Sequence, residues 1–460
     1  MLASLRDCLH ASLRRAADSL AEVVGARRFF CNPKVTKEEI FQTAAANVDE
    51  AARGRHVLIL QDTTEINYQA KAERKRNLGK VGNGEDIGLF AHPALIVDAA
   101  DGMVLGLAGA TIWRRTKVKV KNYQQLPIEK KESFRWLDTA MTARDRLAGA
   151  AMATVIGDRE ADIYELFARV PDARTHVLIR AEHNRALAGE RKRKGKKDDG
   201  GEAEQVLRLF DALSAQPEAG RTTFELEGRP GRAKRTVTLA VCYATVALRQ
   251  PATGANRRDP KSVTLQAIEA REIDAPPGEE PILWRLLTTH PIAWIEDALR
   301  LIDLYRLRWL IEQLFRTVKS RGFDIEDSLL AEGQALENLA ATTLIAATQV
   351  MQLVQGRGEK GEAKLAGLHR RRGRCHQGGG EEIRRPDAQA EEPLQTRQPR
   401  MGGLGHRTPR RVERLRHRTP ARTDHVRQRP ETIPRHVRGV RPRNPQISLR
   451  KDEMCTHASP

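Results

Sequence analysis

The sequence predicts an α/β fold built on a mixed sheet, and two observations carry that prediction. Short unbroken apolar runs closed by polar clusters, HVLILQ at 56–61 and HVLI within THVLIRAEHN, have the length and bounds of buried strands. Between them lie longer stretches with apolar residues at helical spacing, such as ESFRWLDTAMTARDRLAG, so strands and helices alternate along the chain.

The elements follow in order. The N-terminal stretch to about Asn47 reads as helical with a turn at CNPKVTKEEI. There Thr36 precedes Glu39 at capping-box spacing, so a helix follows. HVLILQ is a buried strand. HPALIVDAADGMVLGLAGATIW holds two apolar runs joined by Asp101-Gly102, a hairpin signal. ESFRWLDTAMTARDRLAG is an amphipathic helix, ATVIGDREADIYELFARV a strand feeding a helix through Gly157-Asp158, and THVLIRAEHN a further strand. GERKRKGKKDDGGEAE, 189–204, is a charge-rich break without apolar periodicity, hence a loop or linker. TFELEG, RTVTLAVCYA, SVTLQAIEA and PILWRLLTTH then indicate a mostly β insertion over about 205–291, and from Trp294 to about Val354 the pattern is helical. The expected organisation is a short helical N-terminal piece (1–50), a first part of the main domain (51–188), linker and β insertion (189–291), closing helices (292–355) and a low-complexity tail (356–460).

Composition narrows the function. The formal net charge of +19 favours a polyanionic partner, nucleic acid or an anionic membrane face. No stretch approaches the 18 or so uninterrupted apolar residues of a membrane span. The N-terminus breaks its apolar run with charges too often for a secretory signal. Cys8, Cys31, Cys242, Cys375 and Cys455 are scattered, which argues against a zinc site or disulfide framework and fits reduced thiols in a cytoplasm. The charge is uneven. Residues 356–460 carry 26 Lys+Arg against 12 Asp+Glu, a net of +14, which leaves +5 for the first 355. That segment has no Phe, Tyr or Trp, cannot bury enough apolar area to offset chain entropy, and is expected to be disordered.

The sharpest chemical signal surrounds Glu312. Tyr305, Arg308, Arg316 and Lys319 stand at −7, −4, +4 and +7 from it. On one continuous helix these positions fall within an arc of roughly 80°, with Leu304, Leu307, Leu310, Ile311, Leu314 and Val318 on the remaining side. A carboxylate flanked by four groups able to contact phosphates suits a metal-binding Glu that must approach a polyanion. A solvated face laced with i,i+4 Arg–Glu pairs is the equally available reading of the residues alone. Asp62, followed by two threonines, could terminate a strand or cap a turn, and Asp158 could cap the helix ADIYELFARV.

Tyr305-x2-Arg308-x3-Glu312-x6-Lys319 resembles, residue for residue, the Tyr-Arg-Glu-Lys signature of a bacterial insertion-sequence transposase family, the insertion-sequence-four family of cut-and-paste, hairpin-forming DDE transposases. QDTTEINY (61–68) and GDREADIYE (157–165) are similar to that family's first and second catalytic motifs, and the similarity runs in order from about Arg27 to about Val354. The resemblance implies a ribonuclease-H-like mixed sheet with flanking helices, interrupted by the β insertion. It implies Asp62, Asp158 and Glu312 as metal-binding catalytic carboxylates, with Glu65, Glu160 and Asp162 around them or in solvent. Such a trio can hold two divalent ions about 3.5–4 Å apart, and hard oxygen ligands favour Mg²⁺, or Mn²⁺ in vitro.

Tyr305, Arg308, Arg316 and Lys319 are then expected to position DNA. Trp284 resembles the Trp with which such enzymes hold a flipped base, a stack that stabilises by about 1–3 kcal/mol; a core Trp in the strand ILWRLL is the alternative. Arg180, His183 and Arg185 follow the strand HVLI and are candidates for phosphate contact, against a solvated strand end. EKKESFRW (129–136) also looks familial but receives no chemical role. Expected partners are double-stranded DNA, as terminal inverted repeats and target, and a second copy of the chain on paired ends, with no membrane.

Two departures from the family matter. The stretch before HVLILQ is shorter than the family's helical DNA-binding domain, and the apolar helical C-terminus is replaced by the Arg/Pro/Gly/His tail. A shifted reading frame near Gly367–Arg374 is the expected origin of that tail, ahead of a basic arm binding DNA through phosphate neutralisation. Two rival functions are an inactive transposase-derived DNA-binding or interfering protein and a ribonuclease-H-like nuclease or resolvase.

Overall fold

Strand β1 (His56–Gln61) lies at the centre of the fold, with all but its first residue buried. In the computed structural model of the chain, the described residues are 2–357 apart from 9, 83, 116–121, 194–203, 227, 229–232, 253–255, 257 and 320–321. The tail, with its expected disorder and frame shift, lies outside them. All described residues fall in one unit.

The strands in chain order are β1, β2 (Thr64–Asn67), β3 (Gly79–Val81), β4 (Asp86–Asp98), β5 (Val104–Trp113), β6 (Met152–Gly157) and β7 (Thr175–Arg180). They continue with β8 (Ala186–Arg193), β9 (Glu204–Arg208), β10 (Gly220–Leu226), β11 (Arg235–Arg249), β12 (Ser262–Ile273) and β13 (Leu283–Thr288). β1 pairs antiparallel with β4, Leu60 opposite Leu95, and parallel with β6, Leu60 opposite Ile156. β4 pairs antiparallel with β5, and β6 pairs parallel with β7. The order β5-β4-β1-β6-β7, three antiparallel strands followed by two parallel ones, is consistent with a ribonuclease-H-like transposase fold.

Both faces of this sheet are covered, which is why its strands read as continuous apolar runs and not as alternations. Successive side chains of β1 point to opposite faces. Leu58 and Leu60 join one core with Leu301, Ile311 and Leu314, while Val57 and Ile59 join the other with Trp136, Leu137 and Ala140. The helices are α1 (Leu2–Cys8), α2 (Leu13–Ala16), α3 (Leu20–Cys31), α4 (Lys37–Ala52), α5 (Phe134–Arg146), α6 (Tyr164–Arg169), α7 (Leu209–Ser214), α8 (Ile295–Arg306), α9 (Trp309–Val318) and α10 (Gly333–Gln355). The expected capping box opens α4, with Thr36 and Glu39 exchanging side-chain-to-backbone bonds. The expected hairpin turn joins β4 to β5 at Gly102, whose φ of +72° needs a residue without a Cβ.

The stretch 205–291 is mostly β and is continuous with the main sheet, whereas one expectation, the loop at 189–204, needs correction. β13 pairs with both β12 and β7, so β10–β13 extend the same sheet, thirteen strands among the described residues. β8 and β9 pair with each other and flank the charge-rich break, so its first residues are strand and not loop.

The segment 295–319 is not one continuous helix either. α8 stops at Arg306 and α9 starts at Trp309; between them Arg308 N–H donates to Tyr305 O at 3.0 Å and Ile311 N–H to Arg308 O at 3.1 Å. These are i→i−3 bonds, a tighter turn than the α-helix. The uniform 100° spacing therefore does not hold across Leu307, and Tyr305 is buried, 3 % exposed, and not on an open face.

α10 runs beside β5, and its Gln352 amide donates to the carbonyls of Val104 and Leu105 at 3.1 and 2.8 Å. The buried Glu337 pairs with Lys37 at 3.0 Å and Arg114 at 2.7 Å. Among the described residues no helix is long and apolar enough to cross a membrane.

Candidate active site

Asp62 and Asp158 occupy equivalent places at the C-terminal ends of adjacent parallel strands. Each stands two residues beyond the registered pair Leu60–Ile156, so the parallel ladder delivers both carboxylates to one edge of the sheet. Each is fixed locally by a backbone donor. Asp62 Oδ1 accepts from Thr63 N–H at 2.7 Å. Asp158 caps the short 3₁₀ turn Arg159–Ala161 by accepting from Glu160 N–H at 2.9 Å. Glu312 comes from the first turn of α9.

Arg308 joins two of the three. Its Nη2 donates to Glu312 Oε1 at 2.6 Å and its Nη1 to Asp62 Oδ2 at 3.2 Å. The Asp62 side chain is only 19 % exposed. Burial first, and then the charge of Asp158, push its carboxyl up to about 8, against the opposing pull of Arg308 and the Thr63 N–H. Burial works against the charge on Arg308, but Tyr305, Asp62, Glu312 and Asp158 together raise its pKa above the ordinary arginine value. Three residues spread over 250 positions thus form one electrostatic unit.

Three carboxylates are the right donor chemistry for a hard divalent ion. A buried carboxylate facing a second one also calls for positive charge. Here the guanidinium of Arg308 supplies it, and among the described residues no group of three or more His, Cys, Asp or Glu side chains stands as a ready metal-ligating cluster. The donors fit such an ion by type, and it is an arginine that presently holds Asp62 and Glu312.

The remaining sequence candidates divide. Tyr305 packs edge-on to Trp284, with centroids 5.8 Å apart. Trp284 is 2 % exposed, stacks on Phe224 at 6.0 Å, and has an indole N–H without a hydrogen-bond partner. In this conformation it is a core residue of β13 with no face open to a base. Arg316 is exposed on α9. Lys319 lies just past the end of α9, with its Nζ 4.0 Å from Glu326. Arg180 is half-buried, donates to Leu283 O at 3.0 Å, and lies within electrostatic reach of Tyr305, Arg308 and Asp158. It lines a cavity of about 270 Å³ with Arg159, Phe210 and Arg285.

Arg185 does not point to solvent. Its Nε donates to Asp162 at 2.8 Å, and the same carboxylate accepts from the backbone N–H groups of Glu182 and His183 at 2.9 Å each. Asp162, expected beside the catalytic trio or in solvent, is instead the buried anchor of this loop. The His183 side chain is exposed.

Three residues around the trio carried no sequence-based role. Thr63, His92 and Arg135 form a connected group beneath Asp62: Thr63 Oγ1 lies 2.9 Å from His92 Nδ1 and accepts from Arg135 Nε at 3.0 Å. Thr63 lies in QDTTEINY and Arg135 in EKKESFRW, two motifs that stood out in the sequence without a role for either residue, and His92 carried no signal.

With this geometry in place, residues 130–349 match the transposase DDE domain family. The matched span takes in Asp158 and Glu312 and begins after Asp62. Fold and match together support a transposase DDE domain over that span.

Proposed function

We propose that the chain is a transposase of the Tyr-Arg-Glu-Lys type that cleaves DNA at transposon ends and joins them to a target. The observation that supports this reading is that Arg308 binds both Asp62 and Glu312, with Asp158 within electrostatic reach of Asp62 and Arg308. Asp62, Asp158 and Glu312 would hold two divalent ions, Mg²⁺ or Mn²⁺. When bound, such ions supply an activated water or 3′-hydroxyl and charge stabilisation for the leaving oxygen.

The chain's own groups do the rest. Arg308, freed from Asp62 and Glu312, is placed to meet a phosphate, since a planar guanidinium binds carboxylate and phosphate in the same forked manner. Arg180 and Arg159 line a cavity that Glu182 and Glu280 share, and Arg180 lies within electrostatic reach of Asp158, where it could meet a phosphate. Buried Tyr305 interacts with Arg308, and exposed Arg316 and half-buried Lys319 extend the positive track along and past α9. Two transposon ends held together require a pair of such subunits.

The test is Mg²⁺-dependent cleavage of DNA carrying the element's own inverted repeats. Cutting confined to the repeat ends, lost in D62N, D158N and E312Q, supports the proposal. Binding without cutting favours a noncatalytic DNA-binding derivative, a reading to which Arg308 between the carboxylates lends weight.

A further inference from the structure

The motif EKKESFRW places one buried cation between the two catalytic loops. Arg135 Nε donates to Thr63 Oγ1 at 3.0 Å, and Thr63 directly follows Asp62. Arg135 Nη2 donates to Glu160 Oε2 at 2.8 Å, and the N–H of that same Glu160 donates to Asp158 Oδ1. Arg135 Nη1 donates to Glu132 O at 3.0 Å, tying the guanidinium to its own helix start. The side chain is 13 % exposed, with its guanidinium carbon 5.3 Å from the ring centre of Trp113 and 5.9 Å from that of Trp136.

Thr63 is also held from the other side. His92, fully buried, approaches its hydroxyl at 2.9 Å and packs edge-on to Trp136 at 4.4 Å. The hydroxyl is therefore fixed between an imidazole and a guanidinium, and Asp62 next to it inherits that position.

Taking a guanidinium out of water for one half-exposed carboxylate contributes little net stability. What a planar fork does add is a fixed span: three N–H groups in one plane set the separation of Thr63, Glu160 and Glu132, which a point-like ammonium on a flexible stem cannot do. We infer that Arg135 is a positioning residue that fixes the loop of Asp62 relative to the loop of Asp158 and thereby sets the affinity of the site for a divalent cation. The inference rests on the transposase reading above, and it concerns how the two aspartates are held, not which residues react.

The experiment measures Mn²⁺ binding to the full chain without DNA, by the electron paramagnetic resonance signal of free Mn²⁺, together with thermal melting and the Mg²⁺ dependence of end cleavage. Partners behind metal ligands are worth roughly 10–100-fold in affinity. R135A is expected to weaken Mn²⁺ binding by about that factor and to raise the half-saturating Mg²⁺ concentration in parallel, with a smaller effect on the rate at saturating Mg²⁺. R135K should resemble R135A, because the ammonium cannot span both loops. E160Q should show a lesser loss, and R135A/E160Q should bind Mn²⁺ no worse than R135A.

Equal Mn²⁺ affinity in folded R135A and wild type overturns the inference. If R135A does not fold, E160Q decides, and an unchanged affinity there overturns it equally. A wild-type chain that binds no Mn²⁺ and cuts no DNA removes the transposase reading itself, whereas a wild type that does both beside unaffected variants removes only the role of Arg135.

Discussion

Arg308 and Glu312 form a 2.6 Å ion pair one turn apart, and the same guanidinium reaches Asp62, 246 positions away in the chain, at 3.2 Å. One positive group thus balances carboxylates delivered by a strand end and by a helix. R308A leaves Glu312 without its counter-charge and Asp62 without a hydrogen-bond donor, and is expected to lower stability by about 1–3 kcal/mol in metal-free buffer at neutral pH. Added Mg²⁺ or Mn²⁺ should raise the melting temperature of R308A by more than that of the wild type. An equal response in both would show that Arg308 does not share the carboxylates with the cation.

The Asp62 carboxyl gives the fold a pH dependence of known sign. Its folded pKa, about 8, lies above the ordinary 3.8, so the unfolded chain releases the proton first. Stability contributed by the protonated carboxyl is complete below pH 4 and is lost as pH rises toward 8. D62N mimics the neutral form. Metal-free D62N should melt with the wild type near pH 4 and progressively above it by pH 8, while losing cleavage altogether. Melting curves across pH 4–9 check this, and a constant offset between the two proteins would refute it.

A second titrating group sits at the other end of β1. His56 Nε2 and His290 Nε2 each lie 2.8 Å from Thr154 Oγ1, and His176 stacks on His290 with centroids 4.0 Å apart. Burial, with the charges of Arg300 and the other imidazoles, lowers His56 to about 4 and His290 to about 3, while Asp98 pulls His56 weakly upward. Both are neutral in the fold, so the unfolded chain gains protons first and stability falls as pH drops from about 6.5 toward 4 and below. H290Q should flatten that acid limb of the stability profile, and retention of the full slope would mean that the cluster is not its source.

Trp284 separates packing from DNA recognition. Its indole lies between Phe224 and Tyr305 in the core. W284A is expected to cost about 3–5 kcal/mol of stability. W284F, which keeps an aromatic ring against both neighbours, should retain stability to within about 1.5 kcal/mol and cleave repeat ends at nearly the wild-type rate. Near-normal stability of W284F with a large loss of cleavage would instead restore the base-holding role that the sequence resemblance implied.

Much of the scaffold was legible because local rules and tertiary context agree. HVLILQ is a strand covered on both faces, so its apolar run is unbroken; Asp101-Gly102 makes its turn because Gly102 takes a positive φ; Thr36 and Glu39 cap α4 through contacts three residues apart. Asp62 and Asp158 were nominated through the resemblance of QDTTEINY and GDREADIYE to known motifs, since their place after apolar runs alone equally suits a strand end and a helix cap. The residues whose setting the sequence left open are those that depend on distant chain. Arg185 carries no local mark of its pairing with buried Asp162, and Trp284 reads the same in a strand whether its face is open or covered. EKKESFRW stood out without a role because the partners of Arg135 lie 72 and 25 positions away.

By itself the sequence determined the alternation of strands and helices and the four groups spaced around Glu312, since these follow from periodicity or short-range spacing; the three acidic positions were singled out by a family resemblance. The tertiary structure alone decided that the helix breaks at Leu307, that β13 belongs to the central sheet, that Arg308 bridges Asp62 and Glu312, and that Arg135 bridges Thr63 and Glu160. The physical reason is range. Helical and strand periodicity act over a few residues, whereas burial and charge pairing depend on which segments the sheet register brings together, and no local pattern records that register.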